Sequence, residues 1–186
     1  MRFADVTGQE KIKEKLINSY KSKKVSHATM FIGQEGSGGL ALALAFAQYL
    51  NCENPGEYDS CGTCQTCTKN QKLIHPDVHY SYPVVRKDSS KPATSKDYIN
   101  EWRKFLNGNP YVTYFDWLQH INAENKQGNI PIAECHQIIK QLSLKAYEGG
   151  KKVQIIWLPE YLGKEGKAWR KIIEEPPANT LLIFVS

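Results

Sequence analysis

The sequence predicts an α/β domain built on a parallel sheet, and three observations indicate this fold class. An apolar run at 28–32 leads through a glycine-rich loop into an alanine-rich helical run at 41–50. A second apolar run, Val153–Leu158, is nearly continuous, as in a central strand buried on both faces. A third run, Thr180–Ser186, ends the chain. Strands that alternate with helices in this order are typical of a doubly wound α/β fold.

Length and composition restrict the class of protein. With 186 residues, of which 41% are hydrophobic, the chain can bury one domain and carry an insertion. No run approaches the roughly 20 apolar residues of a membrane span, and the first residues lack the apolar core of a signal peptide. A cytoplasmic protein is therefore expected. The net charge of +5 permits contact with nucleic acid or an acidic partner without requiring either.

The first two predicted elements are a helix and a strand. Apolar residues recur at helical spacing over 9–24, with Thr7 and Gly8 as expected cap residues. The following run, 26–33, is predicted to be a buried strand that leads directly into the glycine-rich loop.

The glycine-rich loop has the pattern of a phosphate-binding loop. Its candidate nucleotide contacts are Gly33, Gly36, Ser37 and Gly38, and a helix over 38–50 is predicted to follow. In such loops, backbone N–H groups face a pyrophosphate, and the positive end of the next helix favours its charge. For so short a motif, a glycine-rich turn that binds no nucleotide is the alternative.

Two groups that a nucleotide hydrolase needs are missing from this loop. The fingerprint G-x-x-x-x-G-K-[ST] requires a lysine and a hydroxyl, and Gly39 and Leu40 hold those positions. The loop therefore lacks a charge-assisted contact to the β and γ phosphates, and Leu40 has no oxygen for magnesium. Hydrolysis is expected to be lost before nucleotide binding, so binding of ATP or ADP is left open.

Four cysteines form the most specific chemical pattern in the sequence. Cys52, Cys61, Cys64 and Cys67 have the spacing C-x8-C-x2-C-x2-C. Four thiolates at this spacing match a closed tetrahedral zinc site, which is structural because it has no open position for catalysis. Buried or disulfide-paired cysteines are the alternative. An inserted zinc module is thus predicted at 52–67, and His75 and His79 are predicted to be structural.

After a predicted strand at 78–83, the pattern changes over 86–128. A polar loop at 87–96 is expected to be exposed, and two short amphipathic helices at about 98–106 and 111–121 are predicted to form a helical insertion. Its aromatic residues and lysines could stack on single-stranded bases. Their spacing of three and four residues favours core packing instead.

The last part of the chain is predicted to contain two helices and two strands. A helix follows Pro131, and the strand Val153–Leu158 comes next. In a nucleotide hydrolase this strand would end in acids that position magnesium and water, but Trp157 and Leu158 stand there. Glu160 is expected at the surface. A helix at 164–174 precedes the final strand, and a chain that ends on a buried strand is expected to be a fragment.

Several stretches resemble one family in the same order. They are 5–16, 26–39, the four-cysteine array, the HPD at 75–77 and the IIEEPP at 172–177. Together they are similar to the clamp-loader subunits of the bacterial replicative polymerase, DNA polymerase III. The resemblance covers about residues 1–82 and 130–186 and leaves the aromatic insertion outside.

The resemblance implies a fold and a set of site residues. The fold would be an AAA+ P-loop NTPase-like three-layer sandwich over 1–186, with the zinc module and the helical insertion added. The four cysteines would be zinc ligands, and the glycine-rich loop would be a vestigial phosphate loop. Val6, with Gly8 and Gln9, would lie in the adenine region. The family's trans-acting arginine would lie beyond the residues given.

The resemblance also implies a function. The chain is more similar to the delta-prime type than to the gamma/tau type, because the loop lysine and the acids are missing. It would be a non-hydrolysing, rigid partner for gamma/tau and delta subunits while they load a sliding clamp onto primed DNA. Two alternatives remain. One is a gamma/tau-type ATPase that uses Ser37 and Glu160, and the other is a zinc-containing DNA-binding module that uses the loop at 86–96.

Overall fold

A four-stranded parallel sheet organises the chain. The computed structural model describes residues 1–86, 92–148, 150–163 and 166–186. The strands are β1 (Ala28–Phe31), β2 (Val78–Ser81), β3 (Lys152–Trp157) and β4 (Thr180–Val185). The helices of the described residues are α1 (Glu10–Lys21), α2 (Gly39–Asn51), α3 (Gln65–Gln71), α4 (Ile99–Phe105), α5 (Tyr114–His120), α6 (Ile132–Ser143) and α7 (Gly166–Glu174). None of these helices combines the length and apolar character that a membrane crossing needs.

The strand order is β1-β4-β3-β2, and every neighbouring pair is parallel. The prediction of a central strand at 153–158 is confirmed, because β3 lies between β4 and β2. The prediction of a buried first strand is wrong. Within the described sheet β1 pairs only with β4, and Met30 is 53% exposed. An apolar run cannot reveal which strand lies at a sheet edge, since that depends on pairing elsewhere in the chain.

Two hydrophobic cores lie on opposite faces of the sheet and make the fold a three-layer α/β sandwich, as predicted. Val153 and Ile155 of β3 belong to the core that contains α2, whereas Ile156 belongs to the core of α6 and α7. This division follows from the alternation of side chains along a strand. Helix α2 is buried all round, from Leu40 to Asn51.

Helices α4 and α5 pack on the α2 side of the sheet through fully buried tryptophans. The ring of Trp102 stacks on Tyr82 with centroids 3.9 Å apart and lies 5.3 Å from Trp157 at the end of β3. Trp117 meets Trp102 edge-on, and its Nε1 donates to the Pro83 carbonyl at 2.7 Å. The prediction of core packing is confirmed for Trp102. Trp117 was not among the predicted inward-facing residues, and buried rings are not available to stack on bases.

Several local predictions in this region are wrong or lie outside the described residues. The polar loop at 87–96 falls partly on 87–91, which the structure does not describe, but Thr94 and Ser95 are buried rather than exposed. Ser95 is held because its backbone N–H donates to Glu134 at 2.8 Å. The second helix begins at Tyr114 rather than near 111, since Thr113 caps it, and Phe115 is 59% exposed.

Two further helices differ from the sequence prediction. Helix α1 begins after Gln9, whose φ of 62° places it in the left-handed region, so Thr7 and Gly8 are not its caps. Helix α3 was not predicted. Its seven residues contain only one buried apolar side chain, Cys67, and therefore show no helical periodicity.

Replacing Trp102 with alanine should show that the aromatic insertion is part of the main core. The change removes a fully buried ring, so we expect the free energy of unfolding to fall by about 3 to 5 kcal/mol. Urea denaturation followed by circular dichroism measures this loss. Phe115→Ala is the matched control, and because that ring is mostly exposed it should change stability by no more than about 0.5 kcal/mol. Equal effects of the two variants would contradict the packing described above.

Candidate functional site

The glycine-rich loop joins β1 to α2 at one end of the sheet. The Gly33 N–H donates to the Ser186 carbonyl at 3.0 Å, which ties the loop to the residue after β4. The Ser37 N–H donates back to Gln34 at 3.0 Å, closing a turn. Gly36 and Gly38 both have positive φ, at 73° and 94°. The predicted loop glycines thus lie in one tight turn that ends at the N-terminus of α2.

A small cavity lies beside this loop. Its volume is about 30 Å³. Trp157, Leu158, Pro110 and Val112 line it together with loop residues 34–40. Nucleotide and cofactor pockets are usually about 300 to 1,000 Å³, so the loop does not face a space of that size.

The charge in this cavity is opposite to what a phosphate needs. Glu35 contributes a carboxylate, and no lysine or arginine is among the described residues that line the cavity. Gly39 and Leu40 stand at the two positions where the fingerprint requires a cation and a hydroxyl, and Leu40 is buried. Glu160, the candidate displaced acid, is exposed and does not line the cavity.

The segment that joins α4 to α5 covers the loop. A Cβ built on Gly38 would lie 2.8 Å from Cε1 of Tyr111, so the ring packs directly against the glycine. The Tyr111 Oη accepts a hydrogen bond from the Thr7 N–H at 2.6 Å. Gln9 Nε2 lies 3.6 Å from the same Cβ position and donates to the Ser37 carbonyl at 2.8 Å. The loop is therefore held between the N-terminal segment and the insertion.

The sequence reasoning missed the contact between Tyr111 and the loop. Helical spacing assigned Tyr111 to the inner face of a helix, but the helix begins three residues later. The signal that identifies the true start is the capping box formed by Thr113 and Asp116, in which the Thr113 Oγ1 accepts from the Asp116 N–H at 3.2 Å. Residues before such a box are free to adopt an extended path across another part of the molecule.

Val6, predicted to lie in the adenine region, is 2% exposed and belongs to the core on the α2 side of the sheet. Its carbonyl accepts from Nζ of Lys13 at 2.7 Å. Its neighbours Thr7 and Gln9 make the hydrogen bonds to Tyr111 and Ser37 described above. The N-terminal segment therefore runs beside the loop, with the Val6 side chain turned into the core.

The four predicted cysteines come together. The Sγ atoms of Cys52, Cys61, Cys64 and Cys67 all lie within 4.8 Å of one another. A tetrahedral site with Zn–S bonds of about 2.3 Å has sulfur atoms about 3.8 Å apart, and the Sγ atoms of Cys61 and Cys67 are 3.9 Å apart. The spacing therefore fits four ligands around one ion.

Backbone N–H groups point at three of these sulfurs. The N–H of Cys61 donates to Sγ of Cys52 at 3.2 Å, that of Cys64 to Cys61 at 3.4 Å, and that of Cys67 to Cys64 at 3.4 Å. Such bonds stabilise a thiolate relative to a thiol. Backbone hydrogen bonds from Thr63 and Cys64 lower the pKa of the Cys61 thiol to about 6.

Burial acts in the opposite direction on the two innermost cysteines. It raises the pKa of the Cys52 thiol and that of the Cys67 thiol above their ordinary value. A metal ion binds thiolates, so occupation of this cluster would release protons. Cys135 lies apart from the cluster, fully buried among apolar residues of α6, as predicted.

The two nearby histidines are not part of the cysteine cluster. His75 is buried, its Nδ1 accepts from the Asp77 N–H at 3.1 Å, and its Nε2 lies 3.2 Å from Oε2 of Glu148. Burial lowers the pKa of His75, although the Glu148 carboxylate acts to raise it. These contacts join the turn before β2 to the segment after α6, which is a structural role.

Comparison with known proteins gives a consistent family. The family described as "DNA polymerase III, delta subunit" matches residues 8–186. The chain is similar to DNA polymerase III subunit tau of Bacillus subtilis (strain 168), at 42% identity over 36% of this chain and 12% of the relative. It is also similar to DNA polymerase III subunit delta' of Escherichia coli (strain K12), at 33% identity over 50% of this chain and 27% of the relative.

A second delta' subunit shows the same level of similarity. DNA polymerase III subunit delta' of Bacillus subtilis (strain 168) is 33% identical over 40% of this chain and 22% of the relative. The matched regions thus span 27% or less of the length of each of these three relatives.

Substituting Gly38 with alanine tests the contact between the loop and the insertion. Alanine in the left-handed region costs about 1 to 2 kcal/mol, and the new methyl must also displace the Tyr111 ring, which adds about 1 to 3 kcal/mol. Gly8→Ala is the matched control, because its φ of 64° is also positive but no atom lies within 4 Å of the added Cβ. We expect Gly38→Ala to be the more destabilising in urea denaturation. Similar losses in both variants would exclude a close contact with Tyr111.

Proposed function

The chain belongs to the DNA polymerase III clamp-loader family, within the group described as "DNA polymerase III, delta subunit", and from this premise we propose that it is a non-hydrolysing subunit of the delta-prime type. Its nucleotide-hydrolase fold is retained as a rigid body, while ATP binding and hydrolysis belong to neighbouring subunits.

The chemistry of the loop cavity is the observation that carries this proposal. A phosphate-binding site needs cations and backbone donors, and a hydrolytic site also needs acids that hold magnesium and orient water. The cavity beside the loop has one carboxylate, no described lysine or arginine, and the apolar side chains of Trp157 and Leu158 at the end of β3. Its volume of about 30 Å³ is also well below the roughly 300 Å³ at which ligand pockets begin.

The role in the assembly follows from what such a domain can still do. We propose that it docks against gamma/tau-like and delta-like subunits and gives them a fixed surface during ATP-driven loading of a sliding clamp onto primed DNA. The relatives are themselves named as subunits of DNA polymerase III. Because the matched regions span only part of those relatives, the partners and the loading activity are part of the proposal.

A gamma/tau-type ATPase is the second candidate, and one finding favours it. The tau subunit of Bacillus subtilis has a higher identity over its matched region, 42%, than either delta' subunit at 33%. In this alternative Ser37 and Glu160 would take over the roles of the missing groups. Ser37 lines the loop cavity, but Glu160 does not.

Measurement of ATP turnover separates the two candidates. We expect no magnesium-dependent phosphate release above that of a protein-free control, because no described cation lines the cavity and β3 ends in Trp157 and Leu158 rather than in acids. Glu160→Gln is measured in parallel and should leave this baseline unchanged. Turnover at a motor-like rate that is lost in Glu160→Gln would overturn the proposal. Co-purification with gamma/tau-like and delta-like subunits tests the role in the assembly.

We also propose that Cys52, Cys61, Cys64 and Cys67 hold one zinc ion in a module at 52–67. The four sulfur donors, their mutual distances and the backbone N–H groups directed at them support this choice of metal. Zinc would cross-link the segment between α2 and α3, and four protein ligands would leave no position for a reacting water. The role is therefore structural.

Metal content provides the test for zinc. We expect about one zinc per chain by mass spectrometry of the native protein, since four thiolates close a single site. Cys67→Ser should lose the metal and unfold the module, whereas Cys135→Ser, the matched buried cysteine outside the cluster, should retain it. Equal zinc content in the two variants, or a native protein without zinc, would refute the assignment.

A further inference from the structure

We propose that the insertion supplies a built-in occupant for the nucleotide site, with Tyr111 taking the place of a bound nucleotide. This inference rests on the proposed non-hydrolysing role, and it assigns a function to the segment 107–114. The absence of the catalytic groups does not by itself explain why this segment lies on the loop. Two contacts of Tyr111 support it. The ring packs against Gly38, and the hydroxyl oxygen accepts a hydrogen bond from the Thr7 N–H.

The position of the ring is the first step of the argument. In a phosphate-binding loop the glycines are small so that a ligand can approach the backbone closely. At Gly38 the atoms that make this close approach belong to Tyr111, 2.8 Å from where a Cβ would stand. Pro110 and Val112, on either side of Tyr111, line the remaining cavity of about 30 Å³. A ligand could not reach the loop by this side without displacing the segment.

The bridging role of Tyr111 is the second step. Tyr111 contacts two segments that are distant in sequence, the loop and the N-terminal segment. It makes these contacts through its ring to Gly38 and through its Oη, which accepts from the Thr7 N–H at 2.6 Å. Gln9 Nε2 closes the same side by donating to the Ser37 carbonyl. The hydroxyl thus satisfies a backbone donor beside the loop.

The anchoring of the segment is the third step, because a mobile loop would not exclude a ligand. The Tyr111 N–H donates to Oδ1 of Asn109 at 2.9 Å, and Thr113 caps α5. The next residue, Tyr114, stacks on Tyr161 with centroids 4.3 Å apart, and its Oη accepts from the Gly128 N–H at 2.8 Å. The segment is therefore fixed to the folded domain on its C-terminal side, and Pro110 and Val112 beside Tyr111 are buried.

The loop also contacts the segment directly. The Tyr114 N–H donates to Oε1 of Glu35 at 3.4 Å, so the carboxylate that faces the cavity serves as an acceptor for the insertion. A carboxylate at this place repels phosphate but suits a backbone N–H. The Glu35 carboxylate, which would repel a nucleotide phosphate, thus also accepts a hydrogen bond from the segment that covers the loop.

Removing the ring should reopen the loop to a pyrophosphate group. A cover that is open about 1% of the time lowers the apparent affinity of a ligand about 100-fold. We therefore expect Tyr111→Ala to bind inorganic pyrophosphate at least about tenfold more tightly than the native chain, as measured by isothermal titration calorimetry. Hydrolysis of ATP should not appear, because the lysine and the acids are still absent.

Two controls make the result specific. Phe115→Ala removes an exposed aromatic ring from the same part of the chain and should leave pyrophosphate binding unchanged. Both substitutions are also made in a Glu35→Gln background, in which the amide oxygen can still accept from Tyr114 but the charge that repels phosphate is gone. A folded Tyr111→Ala chain that binds pyrophosphate no better than the native chain in either background overturns the proposal.

A milder variant covers the case in which Tyr111→Ala does not fold. Tyr111→Phe keeps the ring but removes the acceptor for the Thr7 N–H, so hydrogen exchange at Thr7 should become about tenfold faster, since the amide loses its partner. Exchange at Thr7 that is unchanged in Tyr111→Phe would exclude the bridging role. Turnover of ATP by the native chain would overturn the proposed function instead, so the two failures are distinguishable.

Discussion

Both faces of β3 and β4 are removed from water, and the rest of the structure has to satisfy that constraint. All six residues of each strand are buried, so each strand needs a helical layer above and below it. Helices α6 and α7 provide one layer, and α2 with the tryptophans of the insertion provides the other. The insertion is thus packed on the domain, because Trp102 and Trp117 complete a layer that α2 alone does not fill. This packing is also what carries the segment before α5 across the glycine-rich loop.

The sequence predicted those parts of the fold that depend on local pattern. Continuous apolar residues identified β3, β4 and α2, and the cysteine spacing identified a cluster whose sulfurs do meet. The sequence-based prediction was wrong where the burial of an element depends on pairing with strands that are distant in sequence. The exposure of Met30 follows from the place of β1 in the strand order, which no property of the run itself encodes. Helix α3 was missed because it is fixed by the cysteine cluster and by Cys64 as its cap rather than by an apolar face.

The two departures from the nucleotide-hydrolase pattern lie together in three dimensions. In the sequence, Gly39 and Leu40 are more than a hundred residues from Trp157 and Leu158, and each pair could be a separate local change. In the structure all four line the same small cavity. A lysine at position 39 would also start from a crowded place, since a Cβ there would lie 3.1 Å from Val185 Cγ1. The cavity thus combines a lining without a described cation with a small volume, and the proposed non-hydrolysing role requires both features.

The cysteine module and the covered loop are connected by the N-terminal segment. Asp59, between Cys52 and Cys61, accepts from the N–H groups of Phe3 and Ala4, each at 2.9 Å. Three residues further, the Thr7 N–H donates to Tyr111. The segment is therefore held by the module at one end and by the insertion at the other, with Val6 buried between them. Bound metal would order the loop that carries Asp59, so the metal site would support the arrangement at the nucleotide loop without contacting it. Neither end of the segment depends on nucleotide for these contacts, and the proposed role as a passive partner of ATP-driven subunits would require such an arrangement.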